Sequence, residues 1–317
     1  MKNIGIAINP SKDNDNKILN MVINKIKDVF KIKEVHIFNS YDLERQNLKS
    51  IELLVVLGGD GTLLSAARSV KEEFNGILFG INIGNLGFLS SIEISDIDTA
   101  LTKLKNNEYE IQERMMLECA GEFKNIVECG LICKKELKNI KGCADIDDFK
   151  KEKLNAFNDV VLARGTLSRM VKFKIYVDGK LYSSFKGDGL IVATPTGSTA
   201  YSFSAGGPFI YPDLELITIT PICPHTKSMQ TIVLKGDSII EIYAENEEEK
   251  IYLTVDGQKA MEVNQKSCVK IYKKQKNVKL LLFDDYDYFK VLRNKILNNS
   301  KECDGEEFWN QKDIQKY

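Results

Sequence analysis

The sequence has almost no surplus of charge: 44 basic residues face 45 acidic ones, leaving a net charge of −1. With no global positive field to draw the chain toward a polyanion, nucleic acid is disfavoured as a partner. No run of 18 apolar residues occurs, and the opening Met1-Lys2-Asn3-Ile4-Gly5 lacks a signal-peptide cleavage pattern. A cytoplasmic protein with no membrane partner is therefore expected. The seven cysteines, Cys119, Cys129, Cys133, Cys143, Cys223, Cys268 and Cys303, are odd in number and dispersed. That usage favours reduced thiols, and Cys129 with Cys133 lacks a second pair at zinc-ligand spacing. There is no internal repeat.

What is present is a composition of 43% hydrophobic and 28% charged residues, which fits neither disorder nor a fibre. Its 317 residues suggest two domains, at about 150 residues each. The first third alternates in period. Ile4 to Ile8 reads as a strand, Ile18, Leu19, Val22, Ile23, Ile26, Val29 and Phe30 recur at helical spacing, and Val35 to Phe38 is again extended. Leu53 to Leu57 and Ile77 to Ile81 are apolar strands, with helices expected over Thr62 to Val70 and around Ile97, Leu101 and Leu104. Buried strands alternating with helices predict a parallel sheet covered on both faces.

From about Glu113 the pattern becomes β-rich, and Asp178-Gly179 marks a hairpin because both residues tolerate positive φ. The expected fold is an α/β N-terminal domain, residues 1–112, followed by a mainly β domain, residues 113–282. Tyr288, Phe289, Leu292 and Ile296 are spaced for one helix face, so residues 283–300 are expected to pack back on the first domain. Lys134 to Lys153 is a charged excursion expected between two strands, and 301–317 is a polar tail.

Three glycines and an acid, Gly58-Gly59-Asp60-Gly61-Thr62, follow the Leu53 to Leu57 strand directly. At the carboxyl end of a parallel strand, glycines let the backbone approach a phosphate whose charge suits the next helix N-terminus. The turn is no Walker loop, since no Gly-Lys-Ser/Thr follows, and no acid ends the next strand as a Rossmann fingerprint requires. A carboxylate in an anion-binding loop is awkward unless it serves as a base for an attacking hydroxyl. The alternative is a tight strand-to-helix turn with Asp60 exposed or capping.

Asn82, Gly84, Asn85 and Gly87 follow the next strand and either meet ribose or phosphate or simply turn the chain, with Phe88 and Leu89 packing. Asn158-Asp159 interrupts a strand-like run, where neither residue is favoured, as a sugar contact or as a bulge. Phe185 to Pro208 brackets a buried strand with Gly187-Asp188-Gly189 and a run of hydroxyls and glycines, suited to a polar ligand close to the backbone. Tyr201 could cover a base. Asp256-Gly257 supplies another acid at a turn that alone reads as a hairpin.

Taken together, these stretches resemble the NAD kinase family from Ile4 to about Ile296, including Thr220-Pro221-Ile222-Cys223-Pro224-His225-Thr226 and Asp256-Gly257-Gln258 in the family's order. The Gly-Gly-Asp-Gly turn is shared with lipid and phosphofructo kinases, whereas the Gly187 to Pro208 block is peculiar to NAD kinases. The resemblance implies transfer of the terminal phosphate of ATP to the 2′-hydroxyl of the adenosine ribose of NAD, giving NADP and ADP. Asp60 would be the general base, Gly58, Gly59, Gly61 and Thr62 would shape the donor phosphate site, and Mg²⁺ would accompany ATP. Asn158, Asp159, Asp188, Thr199, Ala200, Tyr201, Ser204 and Asp256 would bind NAD, the last approaching a ribose or the metal. Asn82, Asn85, Arg164, Lys186 and His225 are further candidates, and His36 is expected to be structural. Asp159 stands where the family has Glu, one methylene longer, so its ribose contact calls for a water or a backbone shift. The resemblance also implies dimers or tetramers and a site in the crevice between the domains. It leaves open ATP or polyphosphate as donor. A diacylglycerol-type lipid kinase and a non-catalytic NAD(P) sensor are the rival readings.

Overall fold

Five consecutive apolar residues, Ile4–Ile8, form strand β1 and are all buried, as a parallel strand covered on both faces requires. The computed structural model describes residues 1–84, 87–125, 149–165, 170–226, 229–246 and 250–297. Contacts divide the described chain into two units, one of residues 1–66, 73–111 and 281–297, the other of residues 67–72 and 112–280.

In the first sheet, β2 (His36–Asn39), β3 (Leu53–Gly58), β4 (Ile77–Asn82), β5 (Ile92–Glu93) and β6 (Tyr109–Arg114) accompany β1. Helix α1 (Lys17–Phe30) buries Leu19, Val22 and Ile26 at helical spacing. Its first turn is held by buried Asp13, whose carboxylate accepts from the backbone N–H groups of Ile18 at 3.2 Å and Leu19 at 2.7 Å. Helix α2 (Asp60–Ser69) follows β3, its last residues, 67–69, counting with the second unit, and α3 (Ile97–Asn106) buries Ile97, Ala100, Leu101 and Leu104 before ending at Asn107 with φ 60°. The expected start of α2 at Thr62 moves two residues earlier. Glycines conceal a helix start in sequence, while Asp60 suits the positive end of the helix dipole.

The sheet runs β2-β1-β3-β4 and then to β6 through the last strand of the chain, with β1, β2, β3 and β4 parallel where they pair. Because β1 has β2 on one side and β3 on the other, the strand order reverses at β1. Such a switch point leaves a crevice at the strands' carboxyl ends, where Asn9 and the Gly58–Thr62 turn lie.

The second unit holds β7 (Leu117–Asn125), β8 (Lys150–Ala156), β9 (Asp159–Arg164), β10 (Val171–Val177), β11 (Lys180–Gly187) and β12 (Gly189–Ala193). It continues with β13 (Leu216–Ile222), β14 (Ile232–Lys235), β15 (Ile240–Glu245), β16 (Ile251–Val255), β17 (Lys259–Val263) and β18 (Val269–Lys273), and β19 (Val278–Phe283) then joins the first sheet. The large sheet is ordered β11-β10-β15-β18-β7-β17-β16-β9-β12-β13-β14, with antiparallel neighbours and β8 beside β7. Alternation along β10 sends Val171, Phe173 and Ile175 into the core and Lys172 and Lys174 outward. The β10–β11 hairpin turns at Asp178 (φ 50°) and Gly179 (φ 74°), as expected. The helix α4 (Tyr201–Ser204) follows a 3-10 turn at Thr196–Thr199.

Two expectations are corrected. Lys150 to Lys153 belong to β8 rather than to an excursion, because their charges stay at the surface while Leu154 and Ala156 turn inward. Residues 134–148 and the tail from 298 lie outside the described residues, as do Asn85, Cys129, Cys133, Cys143 and Cys303. Near the end, α5 (Tyr288–Leu292) gives way to a π-helical turn, Arg293–Leu297. Tyr288 and Leu292 are buried but Phe289 is 56% exposed, so the four apolar residues do not share one buried face. One residue along an α-helix is a rotation of about 100°, which carries Phe289 to the rim of the face shared by Tyr288 and Leu292. Among the described residues no helix is long and apolar enough to cross a membrane.

Candidate functional site

The Gly58–Thr62 turn passes from β3 into α2 at the sheet's carboxyl edge, with the Gly59 N–H donating to the Thr62 hydroxyl at 3.4 Å and the Thr62 N–H to the Gly59 carbonyl at 2.9 Å. Asp60 does not point freely outward. Its carboxylate accepts from the backbone N–H groups of Phe88 at 2.6 Å and Leu89 at 3.2 Å, and from the Ser90 hydroxyl at 3.3 Å. Gly87 closes over it, since a Cβ there would run into the Asp60 carboxylate. Three donors fix the ring of lone pairs on one side while leaving acceptor capacity for a fourth. Asn82 Oδ1 accepts from the Gly84 N–H at 2.8 Å, shaping the same loop.

Asn9 is a residue of this edge that motif reading missed. It follows β1, lies within 3.5 Å of the Thr62 hydroxyl through Nδ2, and accepts through Oδ1 from the Ser11 N–H at 3.0 Å and the Tyr41 hydroxyl at 2.8 Å. Its position directly after a buried parallel strand was the available signal.

In the second unit, Asn158 lies in a bend between β8 and β9, and Asp159 begins β9. The bend is held at nearly every backbone group. Asp256 accepts from the N–H groups of Phe157 at 3.1 Å, Asn158 at 2.7 Å and Asp159 at 3.1 Å. Thr194 donates its hydroxyl to the Phe157 carbonyl at 2.7 Å and its N–H to the Asn158 carbonyl at 2.8 Å. Gly197 packs so closely that a Cβ would strike the Asn158 backbone oxygen. What the bend leaves open is the side chain: Asn158 Oδ1 is buried with no hydrogen-bond partner among the described residues. A buried amide oxygen of this kind calls for a donor, such as a sugar hydroxyl.

Asp159 is buried, and desolvation, with the nearby Asp256 charge adding to it, pushes its carboxyl up to about 7. Burial also raises Asp256, against the N–H bonds from Phe157 and Asn158 and the Arg68 charge, which favour its ionised form. Arg68, unremarked in the sequence, pairs with Asp256 at 3.2 Å and donates to Gln258 Oε1 at 2.9 Å.

The remaining candidates spread around Gly187 to Pro208. Asp188 is paired with Arg164 at 2.7 Å, so that cation already has a carboxylate partner. Lys186 and His225 are both exposed and adjacent, the His225 N–H donating to the Lys186 carbonyl at 2.8 Å. Thr199 and Ala200 are half-buried, and Tyr201 and Ser204 lie exposed on α4, three positions apart and hence neighbours on its surface. The preceding turn is fixed by Ser198, which accepts from the Ile210 N–H at 3.0 Å, and by buried Arg114, which donates to Thr196 at 3.3 Å. Among the described residues no three His, Cys, Asp or Glu side chains gather as metal ligands.

Comparison with known proteins covers most of this chain. A sequence model of the ATP-NAD kinase N-terminal domain matches residues 1–109, and one of the ATP-NAD kinase C-terminal domain matches residues 157–283. The NAD kinase of Clostridium beijerinckii is 68% identical over 306 residues, covering 96% of this chain and 99% of that protein. The NAD kinase of Clostridium perfringens strain 13 is 43% identical over 297 residues, 93% of this chain and 99% of that protein. In fold, the chain is similar to a yeast NADH kinase crystallised with NADH, with TM-score 0.71 and 22% identity over 95% of this chain and 89% of that one. It is also similar to an Archaeoglobus fulgidus NAD kinase crystallised with ATP, with TM-score 0.68 and 24% identity over 92% of this chain and 97% of that one. Matching domains at both ends and relatives of this identity along nearly the whole length leave one assignment: the chain belongs to the NAD kinase family.

Proposed function

We propose that this chain transfers the terminal phosphate of ATP to the 2′-hydroxyl of the adenosine ribose of NAD. The bond from the γ-phosphorus to the bridging oxygen of ADP breaks, the 2′-oxygen forms the new bond, and Asp60 takes the hydroxyl proton. The observation that carries this reading is the Asp60 carboxylate, held by Phe88, Leu89 and Ser90 beside the glycine turn at the sheet's carboxyl edge. A carboxylate so oriented acts as a base without having to search for its geometry. Gly58, Gly59, Gly61 and Thr62 hold the donor phosphates at the N-terminus of α2.

The unpartnered oxygen of Asn158 supports a contact to the acceptor ribose, with Asp159 beside it. Asp188, Thr199, Ala200, Tyr201 and Ser204 would line the rest of the dinucleotide. A divalent cation such as Mg²⁺, bound through ATP, would offset the phosphate charge. Self-association as a dimer or tetramer fits the exposure of Tyr201, Phe203, Phe209 and Tyr211, of which Phe203 and Phe209 stack at 4.5 Å.

The test supplies the purified chain with Mg-ATP and either NAD or diacylglycerol. Formation of NADP alone is expected. Phosphorylation of the lipid, or tight NAD binding without turnover, would overturn the reading.

A further inference from the structure

The family resemblance implies a contact from Asp256 to ribose or metal, yet its oxygens are already taken. Oδ1 accepts from Phe157, Asn158 and Asp159, and Oδ2 accepts from Phe157 at 3.1 Å and from Arg68 at 3.2 Å. A carboxylate offers about four lone-pair directions, and five donor contacts fill them. The Asp256 side chain is 0% exposed and that of Arg68 only 13%. To reach a ligand, Asp256 would have to release the backbone that presents Asn158.

Arg68 fits this arrangement in a way a point charge would not. Its Nη1 meets Asp256 Oδ2 and its Nη2 meets Gln258 Oε1 at 2.9 Å, so one planar fork spans the β16–β17 turn. That turn places Asp256 at φ 51° and Gly257 at φ 63°. The Arg68 carbonyl in addition accepts from Asn155 Nδ2 of β8 at 3.4 Å.

We propose that Arg68 and Asp256 form a positioning pair for the acceptor site, in which Asp256 holds the Phe157–Asp159 bend, Arg68 holds Asp256, and neither touches the dinucleotide. The proposal rests on the reading of Asn158 as the ribose contact. Loss of Arg68 leaves the buried carboxylate without its cation, the bend loosens, and the Asn158 amide oxygen drifts from the ribose hydroxyl that donates to it.

The experiment compares Arg68→Met and Arg68→Lys with the unmodified chain in steady-state kinetics, calorimetric NAD binding and thermal melting. In Arg68→Met the KM and the dissociation constant for NAD are expected to rise together by about 10- to 100-fold, with the KM for ATP within about twofold. In Arg68→Lys the charge returns without the fork, so NAD affinity recovers partly. Unchanged NAD affinity, or equal shifts in the KM for NAD and ATP, overturns the pair's role, as does a loss of melting temperature alone. Should Arg68→Met fail to fold, the Lys variant decides: full NAD affinity there counts against the fork. An unmodified chain that forms no NADP sinks the kinase reading instead, because calorimetry still reads the pair through NAD binding.

Discussion

The backbone N–H of Phe88 donates to Oδ2 of Asp60 at 2.6 Å, joining the glycine turn after β3 to the loop after β4. This contact depends on the absence of a side chain at Gly87, where a Cβ would overlap the carboxylate. The flexible end of Asp60 can turn aside more easily than the backbone can. Gly87→Ala is therefore expected to preserve the fold and the melting temperature while lowering kcat at least about 10-fold. A variant with full kcat would show that the Asp60 orientation is immaterial.

Asp60→Asn tests the base directly. The amide keeps an oxygen for the loop but cannot accept the hydroxyl proton, so kcat is expected to fall by about 10²- to 10⁴-fold. The KM values for ATP and NAD should stay within a few-fold. Unaltered NADP formation would remove Asp60 from the chemistry.

Asp159 makes stability depend on pH in a defined direction. Its folded pKa, about 7, lies above the reference value of 3.8, so between these the folded protein keeps a proton that the unfolded chain releases. The group's contribution to stability is fully present below about 4 and is lost as pH rises through about 7. Asp159→Asn removes this slope, and urea unfolding at pH 8 should find the variant more stable on the order of a few kcal/mol. Identical pH profiles for the two proteins would contradict the buried, proton-retaining carboxyl.

Gly197→Ala is expected to behave differently from Gly87→Ala. Its Cβ would meet the Asn158 backbone oxygen, which the Thr194 N–H already fixes at 2.8 Å, so no flexible group can yield. The cost should be about 1–3 kcal/mol in urea unfolding, accompanied by a raised KM for NAD. A variant as stable as the parent would mean that the bend can shift.

The first unit was largely legible in the sequence because its strands are continuous apolar runs, of which β3 is buried throughout, and its helices carry a clear 3.6-residue period. Charge hid β8, where lysines face solvent on a strand, and glycine hid the first two residues of α2. Aromatic spacing misled at α5, because Phe289, one residue after buried Tyr288, falls about 100° round the helix from it, at the rim of the face that Tyr288 and Leu292 bury.

By itself the sequence determined the alternating and β-rich halves and the glycine turn with its acid, since hydrophobic period and turn chemistry are local properties. Tertiary structure decided which groups those residues meet. Asp60 finds Phe88 and Leu89 some thirty positions away, and Asp256 finds Phe157, Asn158, Asp159 and Arg68 from distant segments. Hydrogen-bond partners across such separations are set by sheet register and loop packing, which no local pattern encodes. For that reason a strand-to-turn acid that read as an ordinary hairpin became the anchor of a buried network.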